Sequence, residues 1–451
     1  MIRTRGLTEG LGTPNKYVRK LQRTLYTKAK TEPKYRFYSL WDKMYDENTL
    51  KMAYQRCRAN KGSAGIDNQR FEDIESEGLE QWLGKLQREL KAGRYQPKPL
   101  KRVWIPKVNG KLRPLGIPCI KDRVVQMAVT LILQPIFEPD FLRNQYGFRP
   151  RLDAKMAVRK VYYHVARYGR TEVVDADLKD YFTTIPHGAL LKSIARRIAD
   201  GHVLNLIKTC LESPVVEPTP EGNRRTTEAR DQHRGTPQGG PLSPLLSNIY
   251  FRRFLKAWEQ YGYERRLGAC VVNYADDMVI CCLPGGGAKA LEAMTKLIDR
   301  LGLKVNQEKT RCIRVPEEAF DFLGYTFSGE MNKHGNPYIG TKPSKKALRR
   351  VIGRVHEETA INRTWDSTEN RVREINAIIR GWAAYFDQGP VLKSYRIIEK
   401  YTERRLRRWL IKKHKQRGKS GYRQYPDPFL YEELGLIKLP KRMSDLSSAK
   451  V

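Results

Sequence analysis

The sequence lacks the cysteine and histidine patterns that build disulfide frameworks or zinc sites. Its seven cysteines form an odd set without a Cys-x-x-Cys pair, and no two of its seven histidines are three or four residues apart. A disulfide-rich secreted domain and a structural zinc module are therefore disfavoured. We expect the cysteines to be reduced thiols, as is usual in reducing compartments.

Long apolar stretches are also missing. The longest lies near residues 128–137, far short of the roughly 18 apolar residues that mark a membrane-spanning helix. The N-terminal segment MIRTRGLTEGLG contains no apolar core of a secretory signal. From these absences we predict a soluble, intracellular protein with no membrane partner.

Acidic residues are few relative to basic ones. The 451-residue chain has 85 Lys and Arg against 49 Asp and Glu, a formal net charge of +36. Its hydrophobic content of 40% is that of a folded chain, and its length predicts two or three domains. So large a positive charge repels itself, and a polyanion relieves that repulsion by exchanging its counterions for Lys and Arg. We therefore expect a nucleic-acid partner.

The basic residues are concentrated towards the two ends of the chain. Residues 1–44 form a basic arm, with a helix expected from about Lys16 to Lys30; a solvated surface helix is the alternative to nucleic-acid contact there. Residues 341–420 contain 22 Lys and Arg against 8 Asp and Glu, in helical patterns that include three tryptophans. Such helices suit RNA, whose unpaired bases stack on aromatic rings and guanidinium groups.

Carboxylates occur at the ends of apolar strands. The YADD sequence at 274–277 lies between the two strands expected within 269–283, and Asp177 ends the strand expected over 171–177. Neighbouring strands would bring these aspartates together, and clustered like charges usually require a divalent cation. Mg²⁺ prefers carboxylate and phosphate oxygens, and two such ions can serve an in-line phosphoryl transfer. Asp175 shares a strand face with Asp177, so alternation alone does not choose between them.

Two further segments would surround a triphosphate with positive charge and backbone donors. Residues 98–118 are expected to form a hairpin with Asn-Gly at its turn, which places Lys107 and Arg113 near its tip. Residues 235–240, GTPQGG, offer a closely approachable glycine backbone and the amide of Gln238. Neither segment is specific by itself, because surface lysines and glycine-proline turns are common.

In the order of its motifs, the chain resembles the reverse transcriptases encoded by group II introns. The resemblance covers about residues 45–415 and rests on NKGSAGID (60–67), IPKVNGKLRPLGIP (105–118), NQYGFRP (144–150), VVDADLKDYF (173–182), GTPQGGPLSPLLSNIY (235–250), NYADDMVI (273–280), GLKVNQEKT (302–310), FLGYTF (322–327) and REINAIIRGWAAYF (373–386). These are similar, in turn, to the N-terminal extension motif, the fingers hairpin, the block after it, motifs A to D, the primer grip and the thumb or maturase motif. So many blocks in the family's order are specific, whereas YADD alone is not.

The resemblance implies an α+β fold of the right-hand polymerase kind. It would have fingers, an antiparallel-sheet palm with helices on one side, and an α-helical thumb. The implied division is a basic arm at 1–44, the N-terminal extension and fingers at 45–170, the palm with residual fingers elements at 171–335, the thumb or maturase domain at 336–415, and a short basic tail without an endonuclease domain at 416–451.

The resemblance also implies roles for individual residues. Two Mg²⁺ ions, with Mn²⁺ as a substitute, would be held by Asp177, Asp276, Asp277 and the Leu178 carbonyl, while Lys309 would protonate the leaving pyrophosphate. The nucleotide-binding residues would be Lys107, Arg113, Asp180, Tyr181, Phe182 and Gln238, with the Phe182 ring excluding a ribose 2′-hydroxyl. The primer grip would be Phe322, Leu323 and Gly324. The RNA-binding candidates are Arg349, Arg350, Arg380, Trp382, Arg404, Arg405, Arg408, Lys412 and Lys413. A surface lysine at 309 and a core aromatic at 182 are the alternatives.

The implied function is RNA-directed DNA synthesis. The enzyme would extend a DNA or RNA primer with dNTPs on an RNA template, and would bind its own intron RNA to assist splicing and retrohoming. We expect it in the bacterial cytoplasm, associated with the nucleoid. Gln238 argues against the diversity-generating subtype, and the lack of a Val-Thr-Gly element after the palm argues against a retron enzyme.

Three alternatives stay open. The enzyme could be domesticated for DNA repair or phage defence, with the same chemistry and no intron partner. It could be an RNA-binding splicing factor with little polymerase activity, although the intact aspartates at 177, 276 and 277 argue against this. The basic thumb could also serve only to hold the template–primer duplex.

Overall fold

A computed structural model describes residues 16–106, 110, 112–220, 222–332, 334–416 and 421–440. Lys107, one of the predicted nucleotide-binding residues, lies outside these ranges. Within them, no helix is both long enough and apolar enough to cross a membrane. The seven cysteines are all unpaired; Cys312 is exposed and the other six are buried.

Helices dominate the described chain, and the strands form three small sheets. The helices are α1 (Lys16–Thr31), α2 (Trp41–Met44), α3 (Glu47–Ala59), α4 (Phe71–Glu77), α5 (Leu79–Lys91), α6 (Ile120–Phe137), α7 (Ala154–Tyr162), α8 (Tyr181–Thr184), α9 (His187–Ala195), α10 (Gly201–Leu211), α11 (Glu228–Asp231), α12 (Ser243–Gln260), α13 (Tyr263–Arg266), α14 (Gly287–Arg300), α15 (Lys345–Glu358), α16 (Thr368–Tyr385), α17 (Leu392–Lys413) and α18 (Gly421–Gln424). The strands are β1 (Leu100–Pro106), β2 (Leu112–Ile117), β3 (Glu172–Asp177), β4 (Val215–Thr219), β5 (Gly222–Thr226), β6 (Cys270–Tyr274), β7 (Asp277–Cys282), β8 (Arg311–Arg314), β9 (Phe320–Phe322), β10 (Tyr325–Met331) and β11 (Pro337–Pro343). Short 3-10 or π turns occupy Glu138–Asp140, Tyr163–Arg167, Ile361–Arg363 and Phe429–Glu433.

The first helices pack around α6, which is buried on nearly all sides. The basic helix α1 lies against it and buries Val18, Leu25 and Ala29. Gln22 also donates a hydrogen bond to the Leu131 carbonyl of α6 (2.9 Å). Within the described part of the predicted arm, the apolar stripe of α1 therefore holds this helix to the body of the protein, while most of its basic side chains face outward.

A four-stranded sheet forms the fingers. β1 and β2 make the hairpin that the sequence predicts, with antiparallel register. β1 also pairs in parallel with β4, and β4 pairs with β5, so the strand order is β2-β1-β4-β5. The β4–β5 hairpin is not predicted from the sequence, because its segments VVEPT and GNRRT carry too few apolar residues to signal strands.

The palm sheet has the order β6-β7-β3-β8, and all its neighbours are antiparallel. Helices α12 and α14 pack on one face. The other face is covered by α7 and by the sheet β11-β10-β9, with Val158 of α7 and Phe327 of β10 in the same cluster as Val272. Helices therefore cover one face as expected, and the other face carries a further helix and a small sheet that the expectation did not include. The apolar runs in β3, β6 and β7 explain this, since strands with two apolar faces must be covered on both.

The helical thumb has a core of its own, built from α15, α16 and α17 around residues such as Val355, Ile375 and Trp409. Tyr425, Leu430, Leu436 and Leu439 also pack into this core, so the described part of the predicted tail at 416–451 belongs to the thumb. It begins at α15, where the Ser344 hydroxyl caps the helix by accepting from the Ala347 amide. The predicted boundary at 335/336 falls in the turn between β10 and β11, which pair along their whole length. The change to helical structure therefore comes after β11.

Candidate active site

Asp177 and Asp277 are direct partners across neighbouring strands. Asp177 ends β3, Asp277 begins β7, and the antiparallel register sets them opposite each other. Side chains of directly opposed residues share a face of the sheet, so both carboxylates lie on one face at one end of the palm sheet. Asp276 lies immediately before Asp277, in the turn between β6 and β7, and is exposed. Asp175, the alternative from the sequence, pairs with Val279 further inside the sheet.

A loop from the fingers holds the turn between β6 and β7. Ala275 in this turn has a positive φ of +60°, and Gly147 packs against its backbone. The buried Asn273 donates its amide hydrogen to the Asn144 carbonyl and accepts one from the Tyr146 amide, each at 2.9 Å. Its side-chain amide donates to the Ala275 carbonyl (2.8 Å). The turn that carries Asp276 and Asp277 is thus fixed to a segment more than a hundred residues away in sequence.

Two further buried amides secure the fingers loop. Asn248 Nδ2 donates to the Gly147 carbonyl (2.7 Å), and Gln145 Nε2 donates to the Asn248 carbonyl (2.9 Å). Both side chains are almost completely buried. Because buried amides require partners, this network links α12, the loop and the turn in one arrangement.

Asp177 is also held from the segment that follows α14. Asn306 Nδ2 and Lys309 Nζ both donate to Asp177 Oδ2, at 2.9 and 3.0 Å. Lys309, the predicted proton donor, therefore forms an ion pair with a catalytic candidate. Its side chain is 64% exposed, so a flexible ammonium group is available at the site.

The surroundings of Asp277 and Asp175 disfavour the negative charge of these two carboxylates. Burial, followed by repulsion from Asp276 and Asp177, raises the pKa of Asp277 to about 6. Water reaches this carboxyl, but protein surrounds it closely enough to reduce its solvation. Burial also raises the pKa of Asp175 to about 6, although Arg311 opposes the shift. This excess of negative charge is what a divalent cation would neutralise.

The carboxylate oxygens at this site suit Mg²⁺, although the protein side chains alone would not surround the ion completely. Among the described residues, no three His, Cys, Asp or Glu side chains are arranged to enclose a metal ion. Mg²⁺ is usually held by one or two carboxylates together with substrate phosphates and water. Both side-chain contacts to Asp177 end on Oδ2, and no described residue bonds its Oδ1. Oxygen ligands therefore remain for a cation.

The predicted nucleotide side follows directly after β3. Asp180 has a φ of +47° and precedes α8. Tyr181 is buried, and its hydroxyl donates to the Ser247 carbonyl (2.7 Å), so its ring lies in the core and leaves only its backbone for the predicted nucleotide contact. Phe182 is 8% exposed, and its ring meets that of Phe148 edge-on, with 6.5 Å between the ring centroids. Phe182 thus belongs to the core while keeping a small accessible area.

Arg113 and Gln238 are brought together as the sequence suggests. Arg113 Nε donates to Gln238 Oε1 (2.8 Å), and the Gly116 amide donates to the Gln238 carbonyl (2.8 Å). Gly239 has a φ of +125°, and a Cβ there would be 2.7 Å from the Gly116 carbonyl oxygen. Only glycine permits this contact, which joins the fingers hairpin to the GTPQGG loop.

The predicted primer grip forms the turn between β9 and β10. Leu323 and Gly324 have φ values of +50° and +82°. The Tyr385 hydroxyl of the thumb donates to the Leu323 carbonyl (2.8 Å), and the Tyr325 hydroxyl donates to the Tyr385 carbonyl (2.7 Å). Phe322 is buried in the palm core. Of the three predicted residues, Leu323 and Gly324 are therefore only partly buried, whereas Phe322 belongs to the core.

The sequence matches two protein families in succession. Residues 105–327 match "Reverse transcriptase (RNA-dependent DNA polymerase)", and residues 348–425 match "Group II intron, maturase-specific domain". Protein YkfC of Escherichia coli (strain K12) is 32% identical over 372 residues, which cover 73% of this chain and 93% of that protein. The chain belongs to the group II intron reverse transcriptases.

This reverse transcriptase is also similar to proteins named after introns. Group II intron-encoded protein LtrA of Lactococcus lactis subsp. cremoris is 35% identical over 208 residues, 46% of this chain and 32% of that protein. The Putative COX1/OXI3 intron 1 protein of Saccharomyces cerevisiae is 25% identical over 337 residues, 63% of this chain and 39% of that protein. By its family the chain is an RNA-directed DNA polymerase that acts on nucleic acid and depends on a divalent metal.

The thumb of the reverse transcriptase exposes six of the nine RNA-binding candidates: Arg349, Arg350, Arg380, Arg404, Arg408 and Lys412. The other three make contacts inside the thumb. Trp382 packs against Phe386 (4.5 Å between centroids), Arg405 donates to the Thr359 carbonyl (2.8 Å), and Lys413 donates to the Asp366 carbonyl (2.6 Å). Their side chains stabilise the thumb, and their selection as RNA contacts is not supported by this geometry.

Some residues of the site escape sequence reasoning. Arg396 and Lys400 extend the exposed row formed on α17 by Arg404, Arg408 and Lys412, and none of the five has an ion-pair partner among the described residues. Their spacing of four residues is the signal that would have identified them. The buried amides of Gln145, Asn248 and Asn273 have no such local signal, because each acts across a large separation in sequence.

Proposed function

We propose that this reverse transcriptase extends a primer 3′-hydroxyl with dNTPs on an RNA template, using two Mg²⁺ ions held by Asp177, Asp276, Asp277 and the Leu178 carbonyl. The observation that carries the proposal is the pairing of Asp177 with Asp277 in the β3–β7 register. Bound cations would stabilise the charge that develops on the attacking and leaving oxygens.

The residues around the carboxylates would bind and orient the nucleotide. Arg113, exposed on the fingers hairpin, would neutralise the triphosphate, and its bond to Gln238 would hold both side chains in place. The Phe182 ring would lie under the sugar and clash with a 2′-hydroxyl. Lys309 would protonate the pyrophosphate, because its flexible stem lets the ammonium group move from Asp177 to a nearby phosphate oxygen.

We further propose that the thumb binds the RNA of a group II intron and assists its splicing and retrohoming. The match of residues 348–425 to the maturase-specific domain supports this. The row of five unpaired basic residues along α17, from Arg396 to Lys412, adds charge suited to an RNA backbone. The net charge of +36 agrees with a location near nucleic acid, and we propose that this location is the nucleoid of a bacterial cytoplasm.

The central test is primer extension by Asp177→Asn and Asp277→Asn variants. Each should reduce the rate by about 1,000-fold or more, since the carboxylates act as a unit, and chelation of Mg²⁺ should stop the wild type. Binding of RNA should stay within about twofold of wild type because the thumb is unchanged.

A matched control is Asp299→Asn, which removes an exposed carboxylate from α14 on the opposite face of the palm. It should leave extension unchanged. Loss of RNA binding together with activity in the Asp277→Asn variant would mean that the carboxylates support the fold, and retained activity would overturn the proposed chemistry.

A further inference from the structure

The segment 304–310 extends β3 beyond the palm sheet. The Lys179 amide donates to the Lys304 carbonyl (2.9 Å), and the Asn306 amide donates to the Asp177 carbonyl (2.8 Å). Leu178 lies opposite Val305 between these two bonds. In this antiparallel pattern the central pair exchanges no hydrogen bond. The Leu178 carbonyl therefore points away from the segment and accepts no hydrogen bond from it.

The same segment contacts Asp177 through side chains. Asn306 Nδ2 donates to Asp177 Oδ2 (2.9 Å), and the Asp177 amide donates to Thr310 Oγ1 (3.2 Å). Together with the backbone bond from Asn306, these contacts use the amide, the carbonyl and one carboxylate oxygen of Asp177. The segment thus fixes both the backbone and the side-chain direction of this aspartate.

Asn306 is itself held in place. Its carbonyl accepts from the amides of Thr310 (2.9 Å) and Lys309 (3.2 Å), which closes a turn around it. Its backbone is therefore bonded on both sides, and its short side chain has little freedom. Lys309 reaches the same carboxylate oxygen with a long, 64% exposed side chain, so its contact is easily exchanged whereas that of Asn306 is not.

We propose that Asn306 is a positioning residue for DNA synthesis: it orients the Asp177 carboxylate so that Oδ1 is presented to the metal while Oδ2 is held by the protein. The inference rests on the proposed function of Asp177 as a metal ligand. Residues that hydrogen-bond a ligating carboxylate set its orientation, and their loss typically costs about 10- to 100-fold in metal affinity or activity.

The experiment compares Asn306→Ala and the nearly isosteric Asn306→Leu with wild type. Binding of Mn²⁺, followed by electron paramagnetic resonance in the absence of nucleotide, should weaken by about 10- to 100-fold in both variants. In primer extension kcat should fall by a similar factor, KM for the template–primer should not change, and higher Mg²⁺ should recover part of the rate. The melting temperature should stay close to that of wild type, because the backbone bonds remain.

Gln307→Ala is the matched control, since this neighbouring amide side chain is exposed, and it should behave as wild type. Wild-type Mn²⁺ affinity and kcat in Asn306→Leu would overturn the inference. A lowered melting temperature with unchanged metal dependence would do the same, by assigning Asn306 a structural role. An Asp177→Asn variant that still extends primers would instead overturn the proposed function.

Discussion

Gly147 lies directly against the backbone of Ala275. A Cβ added at position 147 would be 2.2 Å from the Ala275 nitrogen and 2.9 Å from its Cα, closer than any real contact. The turn that carries Asp276 and Asp277 therefore packs directly against a glycine of the fingers. Because glycine has no side chain, the two backbones can approach this closely. This contact explains why position 147 in the motif NQYGFRP is glycine.

Gly147→Ala should displace the turn and lower kcat by about 100-fold, because small displacements of catalytic groups have effects of this size. The fold should persist, since the change affects one loop. Single-nucleotide incorporation and thermal unfolding measure the two effects. Gly188→Ala, at a helical glycine with open space around it, is the control and should be fully active. Equal activity in both variants would contradict the assigned role of the contact.

Phe182→Ala should admit ribonucleotides. Removal of the ring takes away the surface that would meet a 2′-hydroxyl, so the ratio of kcat/KM for dNTPs to that for NTPs should fall by about 10- to 100-fold. Phe182→Tyr keeps the ring and should keep the discrimination. Because Phe182 is also a core residue, both variants should be compared at a temperature where each is folded. An unchanged ratio in Phe182→Ala would exclude the steric role.

Reversal of charge at Arg404 and Arg408 should weaken RNA binding and make it less dependent on salt. If each contacts one phosphate, the slope of log affinity against log salt should decrease by about two in magnitude. The measurement is a titration of structured RNA at several salt concentrations. The double variant Lys289→Glu and Arg300→Glu on α14 introduces the same charge change at exposed positions outside the thumb. Equal losses in both double variants would indicate non-specific attraction instead.

The stability of the protein should decline in mild acid because of His164. This side chain is buried and its Nδ1 lies 2.8 Å from the Arg170 guanidinium. Burial, together with Lys160 and Arg170, lowers the pKa of His164 from 6.5 to about 4. Below pH 6.5 the unfolded chain gains a proton that the folded protein does not, so stability is lost as the pH falls towards about 4 and is unaffected above that window.

The loss attributable to His164 should be about 2–3 kcal/mol across this window. Urea unfolding at several pH values measures it. In His164→Gln the free energy of unfolding should fall less steeply with acid than in the wild type, since glutamine does not titrate. Parallel curves for the two proteins would contradict the assignment.

Much of the active site follows from the sequence because its residues come in short ordered blocks. Aspartates at the ends of apolar strands predict a metal-dependent phosphoryl transfer, and the order of the blocks predicts the α+β polymerase fold. The basic composition of the thumb helices identified Arg404, Arg408 and Lys412, although the spacing that adds Arg396 and Lys400 was not used. These signals are local, and local periodicity governs which face of a strand or helix a side chain occupies.

The sequence by itself determined the chemistry and the family, since both depend on residue types in a linear order. The resemblance singled out Asp177, but strand alternation could not, because Asp175 and Asp177 share a strand face. The tertiary structure shows that Asp177 is the one opposite Asp277, since the register between strands is set by the packing of distant segments. It also decided that Asn306, 129 residues from Asp177, holds that carboxylate. Hydrogen bonds between such distant residues produce no periodic pattern in a single sequence, so they cannot be predicted from it.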